Sequence, residues 1–162
     1  MQNIGVMFVC LGNICRSPLA EAIFEDKVFN RGLRNSFTIR SSGTSNFHVN
    51  ETADKRTIAV ARLHNIPMKH LVSQLKDKDF RKYDYIIVMD NENKANALKI
   101  APKDADYQLQ LMREFDTIDK GGEVADPWYG DMEDFEKCFE TLERCTENFL
   151  EYLIDKHELT AA

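Results

Sequence analysis

Short runs that are apolar at nearly every position alternate along this chain with longer amphipathic stretches, and this alternation constrains the fold more than any other feature. Ile4-Gly5-Val6-Met7-Phe8-Val9 and Tyr85-Ile86-Ile87-Val88-Met89 carry no charged side chain and offer no face to water. A strand of that kind must be covered on both sides, which is the environment of a parallel sheet between layers of helices.

The expected strands are Ile4 to Val9, Phe37 to Arg40, Tyr85 to Met89 and Tyr107 to Met112. Ser17-Pro18 reads as a helix N-cap followed by proline at the first helical position, with Gly32 ending that helix after Arg31. Further helices are expected over Ala53 to His64, Asn93 to Ile100 and Met132 to Lys156, with Ile58, Val60, Ala61 and Leu63 of the second turned inward. Pro67 and Pro102 mark breaks, and Ser41 to Thr52 and Arg113 to Gly130 read as loops. Phe135, Cys138, Phe139, Leu142, Cys145, Phe149, Tyr152 and Leu153 recur at spacings of three and four, so the last helix presents a broad apolar stripe. The expected architecture is one domain over residues 1–162. It is a doubly wound, three-layer α/β fold with a central four-stranded parallel sheet and helices on both faces.

A chain of 162 residues can bury a sufficient core without metal or disulfide staples. Its 21 basic residues against 27 acidic ones give a net charge of -6, which disfavours a general grip on nucleic acid. No apolar run approaches the roughly 20 residues that span a membrane, and the start Met1-Gln2-Asn3-Ile4-Gly5-Val6 lacks the pattern of a signal peptide. A cytoplasmic protein without membrane partners is expected. Cys10, Cys15, Cys138 and Cys145 are therefore read as thiols, the later two packing as small apolar residues in the helix stripe.

Between the first strand and the first helix stands Val9-Cys10-Leu11-Gly12-Asn13-Ile14-Cys15-Arg16-Ser17-Pro18. A strand-to-helix loop lies at the carboxyl end of the sheet, where open α/β folds bind ligands. Helix N-termini favour anions there through free N–H groups and the helix dipole. Gly12 gives the backbone room to turn, so that N–H groups of Leu11, Gly12, Asn13, Ile14, Cys15, Arg16 and Ser17 converge on one concavity. Arg16 can add a two-pronged bond to a phosphate. Cys10 ends the strand in the same field, which stabilises a thiolate as it attracts an oxyanion. A thiolate beneath a phosphoryl group held by donors is arranged for in-line attack on phosphorus, with a phosphocysteine as intermediate. Without a function, the same residues would be a glycine turn with two buried thiols and a surface arginine. That reading leaves the convergence of donors on a cysteine unexplained.

This segment resembles the signature of the low molecular weight protein tyrosine phosphatases, and Asp126-Pro127-Trp128-Tyr129-Gly130 resembles that family's acid loop. The similarity extends through Ser42-Gly43, Asp54-Lys55-Arg56, His70 and Met89-Asp90. It implies an enzyme with acid phosphatase character that hydrolyses phosphotyrosine and other aryl phosphate monoesters through a phosphocysteine. By this resemblance Cys10 is the nucleophile, Arg16 clamps phosphate, and Asp126 is the general acid for the leaving oxygen and then the base for water. A phenol has a pKa near ~10, so its departure is helped by such a proton donor.

The resemblance further assigns Asn13, Ser17, Ser42 and His70 to a network supporting the phosphate loop, although His70 alone would read equally as a half-buried polar residue. It assigns Phe47, His48, Trp128 and Tyr129 to the pocket walls; as lone loop residues they would serve equally as partner contacts or local packing. Phe47 stands where members often carry tryptophan or tyrosine, and Trp128 where many have the first of two tyrosines. Cys15 is implied as a redox partner able to form a reversible disulfide with Cys10, or else as a filler behind the loop. No cofactor or metal is expected, since His48, His64 and His157 lack ligand spacing. The expected partners are phosphotyrosine proteins or small aryl phosphates, with inorganic phosphate or a similar oxyanion in the site. A monomer or weak homodimer is expected.

Two other functions are weighed against this one. A thiol-dependent arsenate reductase would relay a disulfide through further cysteines, yet none occurs between Cys15 and Cys138. A phosphate-sensing module would be expected to lack Cys10, Arg16 or Asp126, and all three are present.

Overall fold

In the computed structural model, which describes residues 2–162, four parallel strands lie side by side in the order β2-β1-β3-β4. They are β1 (Ile4–Cys10), β2 (Phe37–Gly43), β3 (Tyr85–Val88) and β4 (Gln108–Leu111). β1 is central and buried along its whole length. Its neighbours continue the chain in opposite directions across the sheet, which puts the switch point of the topology at the carboxyl end of β1. The register aligns Val9 with Ser42 and Val88, and Cys10 with Gly43, so Cys10 stands at that point.

The alternating pleat divides the apolar run of β1 between two cores. Val6, Phe8 and Cys10 face one core with α1 (Arg16–Asn30), α2 (Lys55–Leu63) and α5 (Met132–His157). Phe24 and Phe149, from α1 and α5, stack at 5.4 Å between ring centres with Phe8 edge-on to both. Met7 and Val9 face the other core with Phe80 of α3 (Asp79–Lys82) and Ala97 of α4 (Asn91–Ile100). The expected three-layer α/β architecture is therefore the one adopted.

Several boundaries differ from expectation for identifiable reasons. Ser17 is not the helix cap: α1 begins at Arg16 with Cys15 at the N-cap and no capping side chain. Pro18 is then the third residue, where a missing N–H still costs no helical bond. β2 runs on through Ser41, Ser42 and Gly43, which pair with Phe8, Val9 and Cys10 of β1. α4 starts at Asn91, because Asp90 caps it in a reciprocal box with Asn93. Of the residues of α2 expected inward, Val60 and Ala61 are buried together with Thr57, whereas Ile58 is half-buried and Leu63 is exposed. The single turn α3 went unanticipated, although its Phe80 is fully buried against Tyr107. Among the described residues no helix is long and apolar enough to cross a membrane.

Candidate active site

The loop after β1 turns at Asn13 rather than at Gly12. Asn13 holds the left-handed conformation, φ 57°, which asparagine tolerates better than most side chains. Gly12 serves differently, since a Cβ there would lie 3.3 Å from the ring of His48. Gly43 is the more demanding glycine. A Cβ at its position would stand 2.7 Å from the Leu11 carbonyl oxygen and 3.1 Å from the Asn13 nitrogen, so only glycine lets the loop lie over the end of β2.

Asn13 is fully buried and every polar group of its side chain is engaged. Its amide nitrogen donates to Ser17 Oγ at 2.8 Å and Ser41 Oγ at 3.0 Å, and its Oδ1 accepts from the Ser73 backbone at 3.1 Å. Its carbonyl accepts a bond from His70 Nε2 at 2.9 Å. Burial pulls the His70 pKa below its ordinary value, against the opposing pull of that carbonyl, and because a carbonyl only accepts, Nε2 carries a proton.

The expected network of Asn13, Ser17, Ser42 and His70 needs one correction. The side chain that joins it is Ser41, which accepts from Asn13 and donates to Glu21 Oε1. Ser42 contributes only its carbonyl, 3.4 Å from Ser17 Oγ, and its own hydroxyl is buried without a protein partner. The pleat explains the exchange: Ile39 and Ser41 face α1, whereas Ser42 faces the opposite core. Period-two reading would have found Ser41 had the strand been extended to Gly43. Burial pushes the Glu21 carboxyl up from the ordinary carboxylate range, and the neighbouring Glu25 adds to the effect.

Cys10 Sγ lies 2.9 Å from Ser17 Oγ at the floor of the loop. Once Cys10 is a thiolate its sulfur can only accept, so Ser17 then gives its proton to the sulfur rather than to the Ser42 carbonyl at 3.4 Å. The backbone N–H groups of Gly12, Asn13, Ile14 and Cys15 donate to no acceptor among the described residues. Such a row of free donors is a site for an anion.

Arg16 is not a surface residue: it is 3% exposed. Its Nη1 donates to Asp90 Oδ2 at 2.7 Å and to the Val124 carbonyl at 2.9 Å. Burial works against its charge, yet Cys10, Asp90 and Asp126 together hold its pKa above the ordinary value. Asp126 stands across the same space, with Oδ2 3.6 Å from Arg16 Nη2 and Oδ1 accepting from the Trp128 N–H at 3.1 Å.

These groups enclose a pocket of about 260 Å³, with Cys10 and Arg16 in its lining and Phe47, His48, Trp128 and Tyr129 around it. Phe47 and Tyr129 are 73% and 94% exposed, so they stand as walls at the mouth rather than as packed core. The His48 and Trp128 rings lie 6.2 Å apart. A larger cavity of about 760 Å³ follows the edge of β2 beside Phe29, Arg40 and Glu25, but it contains no nucleophile.

All four cysteines are free and buried. Burial and the nearby Asp54 hold the Cys15 thiol far above its ordinary pKa, while burial pushes Cys138 and Cys145 up to about 12. Arg56, Asp90 and Ser73 complete the surroundings. They reach the site from distant parts of the chain, and no local pattern pointed to Ser73.

Comparison with known proteins agrees with this geometry. Residues 5–159 match the family model described as low molecular weight phosphotyrosine protein phosphatase. The chain is 43% identical to the Saccharomyces cerevisiae protein of that name over 151 residues, covering 91% of this chain and 94% of that protein. The Homo sapiens protein is 36% identical over 152 residues, with 90% and 93% covered. A crystal structure of the protein tyrosine phosphatase from Entamoeba histolytica with Hepes in the active site superposes with a TM-score of 0.89. It is 33% identical, with 96% of this chain and 99% of that one covered. The chain therefore belongs to the low molecular weight phosphotyrosine protein phosphatase family, a family of enzymes.

Proposed function

We propose that this chain hydrolyses aryl phosphate monoesters, phosphotyrosine in proteins above all, through a phosphocysteine on Cys10. The observation that carries the reading is the convergence of Cys10, the free N–H groups of its loop, Arg16 and Asp126 on one pocket. The loop donors and Arg16 hold the phosphoryl oxygens, and the aromatic walls flank the phenyl ring. The Cys10 thiolate forms the S–P bond as the P–O bond to the phenol breaks, and Asp126 gives its proton to the departing oxygen. Water then attacks phosphorus and yields a proton to Asp126. The S–P bond breaks, inorganic phosphate leaves, and Ser17 steadies the returning thiolate.

The reaction needs no metal, and residues 1–162 carry it as one domain, acting as a monomer or weak homodimer. Four free thiols suit a reducing compartment such as the cytoplasm. Turnover of an aryl phosphate should persist in excess chelator, and aryl substrates should exceed alkyl ones. Loss of activity on chelation, restored by a divalent metal, would rule the mechanism out.

Cys15 serves the same centre as a redox partner. Peroxide converts the Cys10 thiolate to a sulfenic acid, which condenses with the Cys15 thiol, releasing water and forming a disulfide that thiols reduce. Because the Cys15 thiol is held protonated, this closure is slow relative to an exposed pair. After peroxide and then excess thiol, the parent should regain activity more completely than Cys15→Ser. Equal recovery of the two would remove Cys15 from the role.

A further inference from the structure

Arg56, in the first turn of α2, divides its guanidinium between Asp54 and two backbone carbonyls of the Asp126 loop. Its Nε and Nη2 hold the two oxygens of Asp54 at 3.1 and 3.0 Å. Its Nη1 and Nη2 donate to the carbonyls of Gly130 and Trp128, both at 3.1 Å. The guanidinium carbon also lies 5.5 Å from the centre of the Trp128 ring and 4.5 Å from that of Phe135 on α5. Asp54 in turn donates its N–H to the Ile14 carbonyl of the phosphate loop at 2.9 Å. The start of α2 thus grips the phosphate loop on one side and the Asp126 loop on the other. Burial would raise the Asp54 carboxyl, yet Arg56 holds it below the usual carboxylate range, so the unit stays charged.

Asp126 has few restraints of its own. Among the described residues its carboxylate meets only the Trp128 N–H, at 3.1 Å, and the more distant Arg16, at 3.6 Å. The root of its loop is tied at Val124, whose N–H donates to the Met89 carbonyl at 2.9 Å. Past Asp126, Pro127 is buried, and the loop backbone beyond it is bonded to the body of the protein by the two Arg56 contacts. We infer that Arg56 is a positioning residue: by fixing the Trp128 and Gly130 carbonyls it sets where Asp126 stands over the leaving oxygen, and by stacking it sets the Trp128 wall. The role rests on the reading of Asp126 as the general acid. It requires a planar fork, which lysine does not have.

Trp128 is the only tryptophan of the chain, so fluorescence excited selectively in the indole band, clear of the five tyrosines, reports on this loop alone. Arg56→Met keeps much of the stacking bulk and removes every directed bond, while Arg56→Lys keeps the charge and serves if the first variant folds poorly. With phenols of high pKa as leaving groups, Arg56→Met should lose about 10- to 100-fold in kcat/KM, which reports the step that expels the phenol. The loss should shrink as the leaving group improves, and Trp128 anisotropy should fall. Arg56→Lys should lie between this variant and the parent. Adding Arg56→Met to Asp126→Ala should cost nothing more, because the group it positions is gone.

Equal losses across the leaving-group series, the same fractional loss in the Asp126→Ala background, or unchanged Trp128 anisotropy would each overturn the inference. If Asp126→Ala itself shows no dependence on the leaving group, the acid assignment fails and takes the catalytic half of the inference with it. Trp128 anisotropy then still decides the anchoring.

Discussion

Replacing Cys10 by serine will lower turnover of aryl phosphates by at least ~10⁴-fold while leaving the fold and the anion site in place. The change replaces sulfur by oxygen in a side chain 3% exposed, and its nearest polar partner, Ser17 at 2.9 Å, still bonds to a hydroxyl. What disappears is the nucleophile. A serine hydroxyl is far less acidic than a thiol, and the one adjacent group is another serine, so nothing takes its proton. Arg16, held by Asp90 and Val124, and the free loop N–H groups do not depend on the sulfur. The variant should therefore still bind a phosphotyrosine peptide. Calorimetry and initial rates separate the two effects. Retained turnover would end the cysteine mechanism, whereas loss of both binding and turnover would point to a collapsed loop.

Asp126→Ala is the second large effect, and its signature is selectivity. General acid catalysis is worth roughly 10² to 10⁴ in rate, and it is needed most when the leaving phenol is a poor acid. With phenol-like leaving groups the loss should reach that range. With nitrophenol-like ones, which depart as stable anions, the loss in kcat/KM, which reports formation of the phosphocysteine alone, should be much smaller. The wild-type rate should accordingly vary little along the series and the variant rate steeply. Parallel lines for the two proteins would show that Asp126 does not protonate the leaving oxygen.

The sequence carried the fold where one residue's neighbours decide its fate. The unbroken apolar run of β1 required cover on both faces, and the two cores receive its residues alternately. The loop from Cys10 to Arg16 was legible for a similar reason, because strand end, turn and helix start are consecutive. Legibility failed at two kinds of place. Ser17 reads as a cap by type, but its hydroxyl is turned to Cys10, a tertiary preference that outweighs capping. Ser41, Asp90 and Arg56 act across large sequence separations: Arg16 meets Asp90 over 74 positions, and Arg56 meets Gly130 over 74 as well. Such pairs follow from strand order and register, which no local periodicity encodes. Family resemblance marked Asp54-Lys55-Arg56 and Met89-Asp90 without saying what they hold, and the geometry supplies that.

Phosphate is expected to pass through the sulfur of Cys10. Acid quenching during steady turnover of an aryl phosphate, followed by mass analysis of the peptide spanning the phosphate loop, tests it directly. One phosphoryl group is expected on Cys10, accumulating further in Asp126→Ala when the leaving group is good, because that variant lacks the base for the second step. A burst of phenol with an unmodified Cys10 peptide, or a phosphoryl group on any other residue, would contradict it.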